Sequence, residues 1–201
     1  MSWSISNVGA VADELAADYG VPLATIGLLT AALFLTHFAV QLPAGRAIDR
    51  FGARRVGLAS LAAIVAGSLV ALTAPSIAVA LTGRALTGFG SGAGFIAGLD
   101  LIRASGGGPA LQGFYGGASI AGGGVALAVV PQLDGSLGWR APYWTALALA
   151  LVVAGVLTVI RADPRGPVHE GIRAGVLRDR RLYPLGALHA ACFGLSVIVG
   201  N

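Results

Sequence analysis

Residues 45–55 read Gly45-Arg46-Ala47-Ile48-Asp49-Arg50-Phe51-Gly52-Ala53-Arg54-Arg55, and this charged stretch divides two uncharged runs, residues 24–45 and 56–74. A bilayer core about 30 Å thick needs roughly 20 apolar helical residues to cross. Both runs meet that length, so the stretch between them reads as a tight polar turn joining two membrane helices on one side. Gly45 suits a close approach of helix ends, and Gly52 suits a turn with positive φ. Arg54 and Arg55 anchor the second helix at the headgroups. Asp49 is the odd residue, because acids contribute nothing to topology. It is expected to pair with an arginine or to sit at the N-terminus of a neighbouring helix.

Working outward, the same pattern repeats. Residues 77–102, 109–132 and 141–160 form three more apolar runs of spanning length. Residues 1–12 are apolar but too short to cross, and residues 184–200 begin another run. The expectation is an all-α, polytopic membrane bundle with five complete spans between two partial ones. The chain would open in the last half of one helix and close in the first part of another. Three segments follow: a helical bundle over 1–160, a polar linker over 161–183, and the start of a further helix over 184–201. The linker, rich in Pro, Gly and charge, suits a short amphipathic helix lying at the interface.

Composition agrees. Only 11% of the 201 residues are charged and 31 are glycine, against about 25% charge in soluble domains. All thirteen basic residues are arginine. Eleven of them (Arg46, Arg50, Arg54, Arg55, Arg103, Arg161, Arg165, Arg173, Arg178, Arg180, Arg181) fall on one side of the alternating loops. The other side holds Arg140 and the acids Asp13, Glu14, Asp18 and Asp134. The arginine-rich side is expected to be cytoplasmic, with the protein multi-pass in the inner (plasma) membrane. This distribution reads as topology, so no nucleic-acid partner is expected despite the basic balance. One cysteine, Cys192, leaves no disulfide framework. No metal site or cofactor is expected, and no phosphate-binding Gly-x-x-x-x-Gly-Lys-Ser/Thr loop occurs.

The turn from Gly45 through Asp49, Arg50 and Gly52 to Arg54 and Arg55 resembles the signature loop of the major facilitator superfamily, which joins its second and third helices. The resemblance covers the whole chain. It implies a fragment from the end of helix I, through helices II–VI of the N-terminal six-helix domain and a central loop, to the start of helix VII. It also implies that Gly45, Asp49, Arg50, Gly52, Arg54, Arg55 and an acid near the inner end of helix IV, here Asp100, act in a conformational switch. The family usually has a basic residue directly after the second glycine, in a charge relay that steadies the outward-facing state. Here that residue is Ala53, with Arg54 or Arg50 available to substitute.

Within the 77–102 run, Arg84 precedes Gly88, Gly90, Gly92 and Gly94. A buried arginine is costly unless paired or hydrated, so Arg84 either faces the bundle interior or, being about seven residues from the helix start, snorkels to the outer interface. Arg84, Gly88 and Gly92 recur every four residues and share one stripe, which suits a cavity wall or a sliding contact. The superfamily has a similar Arg-x-x-x-Gly-x-Gly pattern on helix IV, tied in some branches to proton coupling and substrate handling. Sixteen residues separate Arg84 from Asp100, about 24 Å along a helix and on another face. Asp100 is therefore expected to pair with the Arg50–Arg55 cluster or with Arg103. His37 and Gln41 stand one turn apart and either line the cavity or satisfy each other or a carbonyl. His189 has no motif to place it. The glycines of 109–132 suit close helix packing. Gly138-Trp139-Arg140-Ala141-Pro142-Tyr143-Trp144 suits an interfacial anchor before helix VI.

The function expected is secondary transport of a small solute by alternating access, ion- or proton-coupled. Its partners are the solute, the bilayer and a C-terminal half. The alternatives are a non-transporting scaffold and an intramembrane serine hydrolase built on Ser91. The hydrolase lacks the Gly-x-Ser-Gly pattern, because position 89 is Phe, and no histidine stands on an identifiable partner helix.

Overall fold

The computed structural model describes residues 2–159 together with Arg180, Tyr183, Pro184, Ala187, Leu188, Ala191 and Leu195. The expectations for the linker and for the start of a further helix, His189 included, lie almost wholly outside the described residues. The described chain is helical and carries no strand. In order it forms α1 (Ser2–Ser6), α2 (Ala12–Tyr19), α3 (Leu23–Phe51), α4 (Ala53–Ala71), α5 (Ile77–Ala104), α6 (Pro109–Leu137) and α7 (Ala141–Val159).

Five of these helices, α3 to α7, match the five expected spans, with ends that differ for physical reasons. α3 continues past Gly45 to Phe51 and passes through Pro43. α6 likewise passes through Pro131 to Leu137. Apolar runs end where the first charge appears, whereas a helix continues until something breaks its hydrogen bonds. α6 and α7 are joined only by the 3-10 turn Gly138–Arg140, so 109–159 is one 51-residue apolar helical stretch. That length far exceeds one crossing, and the chain folds back: Leu149 of α7 returns to the level of Tyr115 and Gly122 on α6, where all three line one cavity. The N-terminal part is longer than expected. Helix resumes after a break and runs on to Tyr19.

α5 is the centre of the packing, held between α3 and α4. Its glycines let both neighbours approach to backbone contact. A Cβ at Gly83 would meet the Gly67 carbonyl at 2.5 Å, and one at Gly90 would strike the Ser60 carbonyl, both on α4. A Cβ at Gly88 would overlap the Leu33 carbonyl, and one at Gly92 the His37 carbonyl, both on α3. The stripe read from the sequence is therefore the face of α5 that α3 covers, while Gly83 and Gly90 serve a second face. Small residues allow such contacts where lipid supplies no hydrophobic drive between helices.

Three apolar clusters fill the bundle. The first joins Val8, Val11 and Leu15 to Leu29, Val130, Trp139 and Tyr143. The second, near the turn between α3 and α4, joins Val40, Ala44, Ile48, Ala53, Val56, Ala93 and Ala97. A smaller one joins Leu61 and Ile64 to Ala150. Large apolar side chains also point outward, such as Leu35, Phe114 and Val152. In water that surface would be unfavourable; in a bilayer it is the solvent-facing surface.

Candidate functional site

Two constellations occupy the positions singled out from the sequence. The first is the turn between α3 and α4. Gly52 is the single residue between α3 and α4, with φ +85° and ψ 148°, and its N–H donates to the Ile48 carbonyl at 2.8 Å. That conformation is open to glycine and strained for other residues. Asp49 and Arg50 are exposed on the last turn of α3, and the Arg50 guanidinium lies 5.1 Å from the Phe51 ring centre. Arg55 is exposed, whereas Arg54 reaches across to α7. Its Nε donates to the Leu157 carbonyl at 3.2 Å and its Nη2 to the Thr158 carbonyl at 2.5 Å. A cation on the free carbonyls of a helix C-terminus satisfies them and complements the helix dipole.

Asp100 lies 4.0 Å from the Arg103 guanidinium, one turn along α5. Of the partners expected for it, Arg103 is therefore the one it meets. Gly45 was read as a close-packing residue, but a Cβ there would meet nothing within 4 Å. Ala53, the departure from the family pattern, has a local reason. It is 6% exposed and packs in the second cluster with Ile48, Val56 and Ala97. A basic side chain at 53 would have to leave that cluster.

The second constellation runs down the interface of α3 and α5. Arg84 is 2% exposed. Its Nε points at the Leu29 carbonyl (3.4 Å), and its Nη1 donates to the Ser4 carbonyl (2.5 Å) and to Asn7 Oδ1 (3.2 Å). Its Nη2 is buried with no hydrogen-bond partner. Neutral oxygens of α1, α3 and the residue after α1 thus hold this cation. Asn7 is anchored in turn, its Nδ2 donating to the Pro142 carbonyl at 2.6 Å.

One turn deeper, Thr36 Oγ1 donates to the Ala85 carbonyl at 2.8 Å. Below that, His37 Nδ1 lies 2.8 Å from Ser91 Oγ, which also reaches the Gly88 carbonyl at 3.0 Å. His37 is 6% exposed and Ser91 is 0% exposed. His37 therefore pairs with Ser91 rather than with Gln41, which is half-buried further along α3. The expectation that no histidine accompanies Ser91 is corrected here. The signal was available in the chain: His37 stands fourteen residues after Leu23 and Ser91 fourteen after Ile77. Both helices run in the same direction, Arg84 meeting Leu29 and Ser91 meeting His37, so equal counts mean equal depth.

Gly88 and Gly92 do not line a cavity among the described residues; α3 covers them. A cavity of about 270 Å³ lies elsewhere, between α1, α6 and α7, with Trp3, Tyr115, Ser119 and Leu149 in its wall. The glycines of α6 also depart from expectation. A Cβ at Gly113, Gly116, Gly117, Gly122 or Gly124 would meet nothing within 4 Å, whereas one at Gly123 would come within 2.9 Å of Ser6 Oγ.

The sequence profile of the Major Facilitator Superfamily matches residues 1–200. The chain belongs to the Major Facilitator Superfamily. Curated relatives of this superfamily member carry transport names. It is 29% identical over 180 residues to the aspyridones efflux protein of Neocamarosporium betae, covering 83% of this chain and 30% of that protein. It is 30% identical over 180 residues to the inner membrane transport protein YajR of Escherichia coli (strain K12), covering 83% of this chain and 38% of that protein. A shorter match, 37% identical over 76 residues, links it to a multidrug resistance protein B homolog of Mycobacterium tuberculosis, covering 38% of this chain and 14% of that protein. The chain therefore spans well under half the length of these relatives. As a superfamily member with apolar helices of membrane-spanning length, it is a multi-pass membrane protein.

Proposed function

We propose that this chain is the N-terminal half of a secondary transporter that moves a small organic solute by alternating access, driven by a proton or other ion gradient. The carrying observation is the superfamily match across residues 1–200, joined to relatives named as efflux proteins. On this reading residues 1–160 form the N-terminal bundle, 161–183 the central loop and 184–201 the opening of helix VII. A C-terminal half completes the cavity. The arginine-rich turns face the cytoplasm of an inner (plasma) membrane, following the bias of basic residues in short loops.

The roles divide by site. Gly45, Asp49, Arg50, Gly52, Arg54, Arg55 and Asp100 belong to the conformational switch at the inner end. Arg84, with Gly88, Gly92, His37 and Gln41, belongs to solute handling or ion coupling. Two features support Arg84 in that role: it is a buried cation held only by neutral oxygens, and one of its nitrogens has no partner. An anionic solute or a coupled proton suits such a group.

The test is flux through the full-length protein in liposomes under an imposed pH gradient, with ethidium and fluorescein as cationic and anionic probes. Gradient-dependent movement of either probe, abolished by a proton ionophore, is the expected result. Failure of both probes, and of a wider panel, would point to a non-transporting scaffold. Arg84→Ala is expected to change apparent affinity or pH dependence, and unchanged values for both would remove Arg84 from the mechanism.

One observation bears on the hydrolase reading, the 2.8 Å contact of Ser91 with His37. The serine is fully covered and its neighbours Gly88 and Gly92 are pressed against α3, so no substrate reaches it in this conformation. Ser91→Ala with unchanged flux would dismiss that reading.

A further inference from the structure

The N-terminal helical segment is broken where the buried cation meets it. α1 ends at Ser6, although Asn7 N–H still donates to the Trp3 carbonyl at 3.0 Å. The next backbone bond along the chain is the tighter contact from Val11 N–H to the Val8 carbonyl at 3.2 Å. Val11 then leaves helical geometry, with φ −137° and ψ 37°, before α2 begins. Sharp breaks arise at proline, at Gly/Ser pairs, or where a side chain inserts into the hydrogen-bond ladder. No proline occurs between Ser2 and Tyr19. Ser6 and Gly9 flank the break, and one side chain reaches the backbone ladder there, that of Arg84. Its Nη1 donates to the Ser4 carbonyl, the acceptor that an unbroken α-helix gives to the N–H four residues on, that of Val8. The same nitrogen takes Asn7 Oδ1, while Asn7 Nδ2 holds the Pro142 carbonyl at the start of α7.

We infer that Arg84 holds the first span in one of two alternative hydrogen-bonded states. In the broken state, seen here, the guanidinium occupies the Ser4 carbonyl and Asn7 bridges α5 to α7. In the continuous state, Val8 N–H takes the Ser4 carbonyl back and Asn7 lets go of one or both partners. Arg84 acts on the outer end as a positioning residue, working through the backbone of another helix. The free Nη2 gives the guanidinium somewhere else to go: an acceptor that captures it would draw the whole group off Ser4. The inference deepens the transport reading by naming a two-state element at the outer end, and its test needs no solute.

The test uses the full-length protein in lipid nanodiscs with valine labelled by carbon-13 and nitrogen-15. The Cα and carbonyl shifts of Val8 and Val11 report whether the segment is helical. In the parent protein Val11 is expected at non-helical values. Arg84→Leu is expected to move both residues to helical values and to slow amide exchange at Val8 by about tenfold, since a free amide becomes a bonded one. Arg84→Lys, which keeps a donor, is expected to restore much of the break. Gly9→Ala, which raises helix propensity while leaving Arg84 in place, is expected to shift the same signals part of the way. That variant decides the matter if Arg84→Leu does not fold. Non-helical Val11 in a folded Arg84→Leu protein, or no response to Gly9→Ala, would overturn the inference. Lost flux with unmoved valine shifts would overturn this switch and leave the transport reading standing. Moved shifts with intact flux would support the switch and remove it from the transport cycle.

Discussion

α5 and α6 are nearly equal in length and both are dense in glycine, yet the two helices use glycine in opposite ways. On α5, Gly83, Gly88, Gly90 and Gly92 each face backbone of a neighbour at distances that leave no room for a methyl group. On α6, Gly113, Gly116, Gly117 and Gly124 face open space. Composition alone treats the two helices as equivalent. What separates them is whether another helix lies at the same depth on the glycine face: α3 and α4 cover the glycines of α5, whereas the helices packed on α6 leave most of its glycines uncovered. Glycine density therefore shows that close packing is permitted; contact at matched depth decides whether it occurs.

The comparison makes its strongest prediction at Gly88. A methyl group there overlaps the Leu33 carbonyl and Thr36 Oγ1, and backbone cannot yield as a flexible side chain does. Gly88→Ala should destabilise the folded protein by about 3 kcal/mol, the upper range for overpacking. Thermal unfolding in detergent would measure it, and a loss below about 1 kcal/mol would mean that α3 and α5 are not held at this spacing. Next in size is the polar contact inside the same interface. Ser91→Ala leaves His37 Nδ1 without its 2.8 Å partner. A buried group so orphaned costs about 1–3 kcal/mol, and Ser91→Thr, which keeps the hydroxyl, should recover part of that if the added methyl is accommodated. Equal stability of Ser91→Ala and the parent would show that the contact contributes nothing.

A smaller effect is expected at the turn between α3 and α4. Arg54 donates to the last carbonyls of α7. Favourable cation–helix-terminus contacts are worth about 0.3–1 kcal/mol at exposed sites. Arg54→Gln should therefore lower stability by no more than about 1 kcal/mol, with the loss shrinking as salt is raised. A salt-independent loss would assign the effect to packing of the side-chain stem against α7.

How far the sequence exposed these features depends on the physics each one uses. The spans were legible because length and apolarity are what a bilayer demands, and the turn between α3 and α4 was legible because Gly52 and its arginines stand in a recognisable order. The ends of α3 and α6 were not, since the apolar runs stop at residues 45 and 132 whereas the helices continue to Phe51 and Leu137. For Arg84 the sequence left two placements open, interior or snorkelling to the interface, and its 2% exposure decides for the interior. Its partners were not legible, because two of them are main-chain carbonyls, which every residue carries. The break after α1 leaves no mark in the sequence beyond Gly9, because its cause lies on another helix. His37 and Ser91 were legible only by counting depth down two parallel helices, a step that needs their shared direction first.

The smallest effect is the one that tests the comparison most directly. Gly117 is exposed in the middle of α6 with no neighbour around it. If that face meets only lipid, Gly117→Ala removes the backbone freedom of glycine without a clash and should stabilise the protein by about 0.5 kcal/mol. Gly117→Leu should then be tolerated as well, because the added side chain enters hydrocarbon. The alternative is that this face meets protein in the full-length molecule, in this state or in another. In that case Gly117→Leu would reduce solute flux while leaving the unfolding temperature of the resting protein unchanged. That outcome would mean that α6 differs from α5 in when its glycines are covered, since a surface kept smooth for a moving contact looks empty whenever the contact is elsewhere.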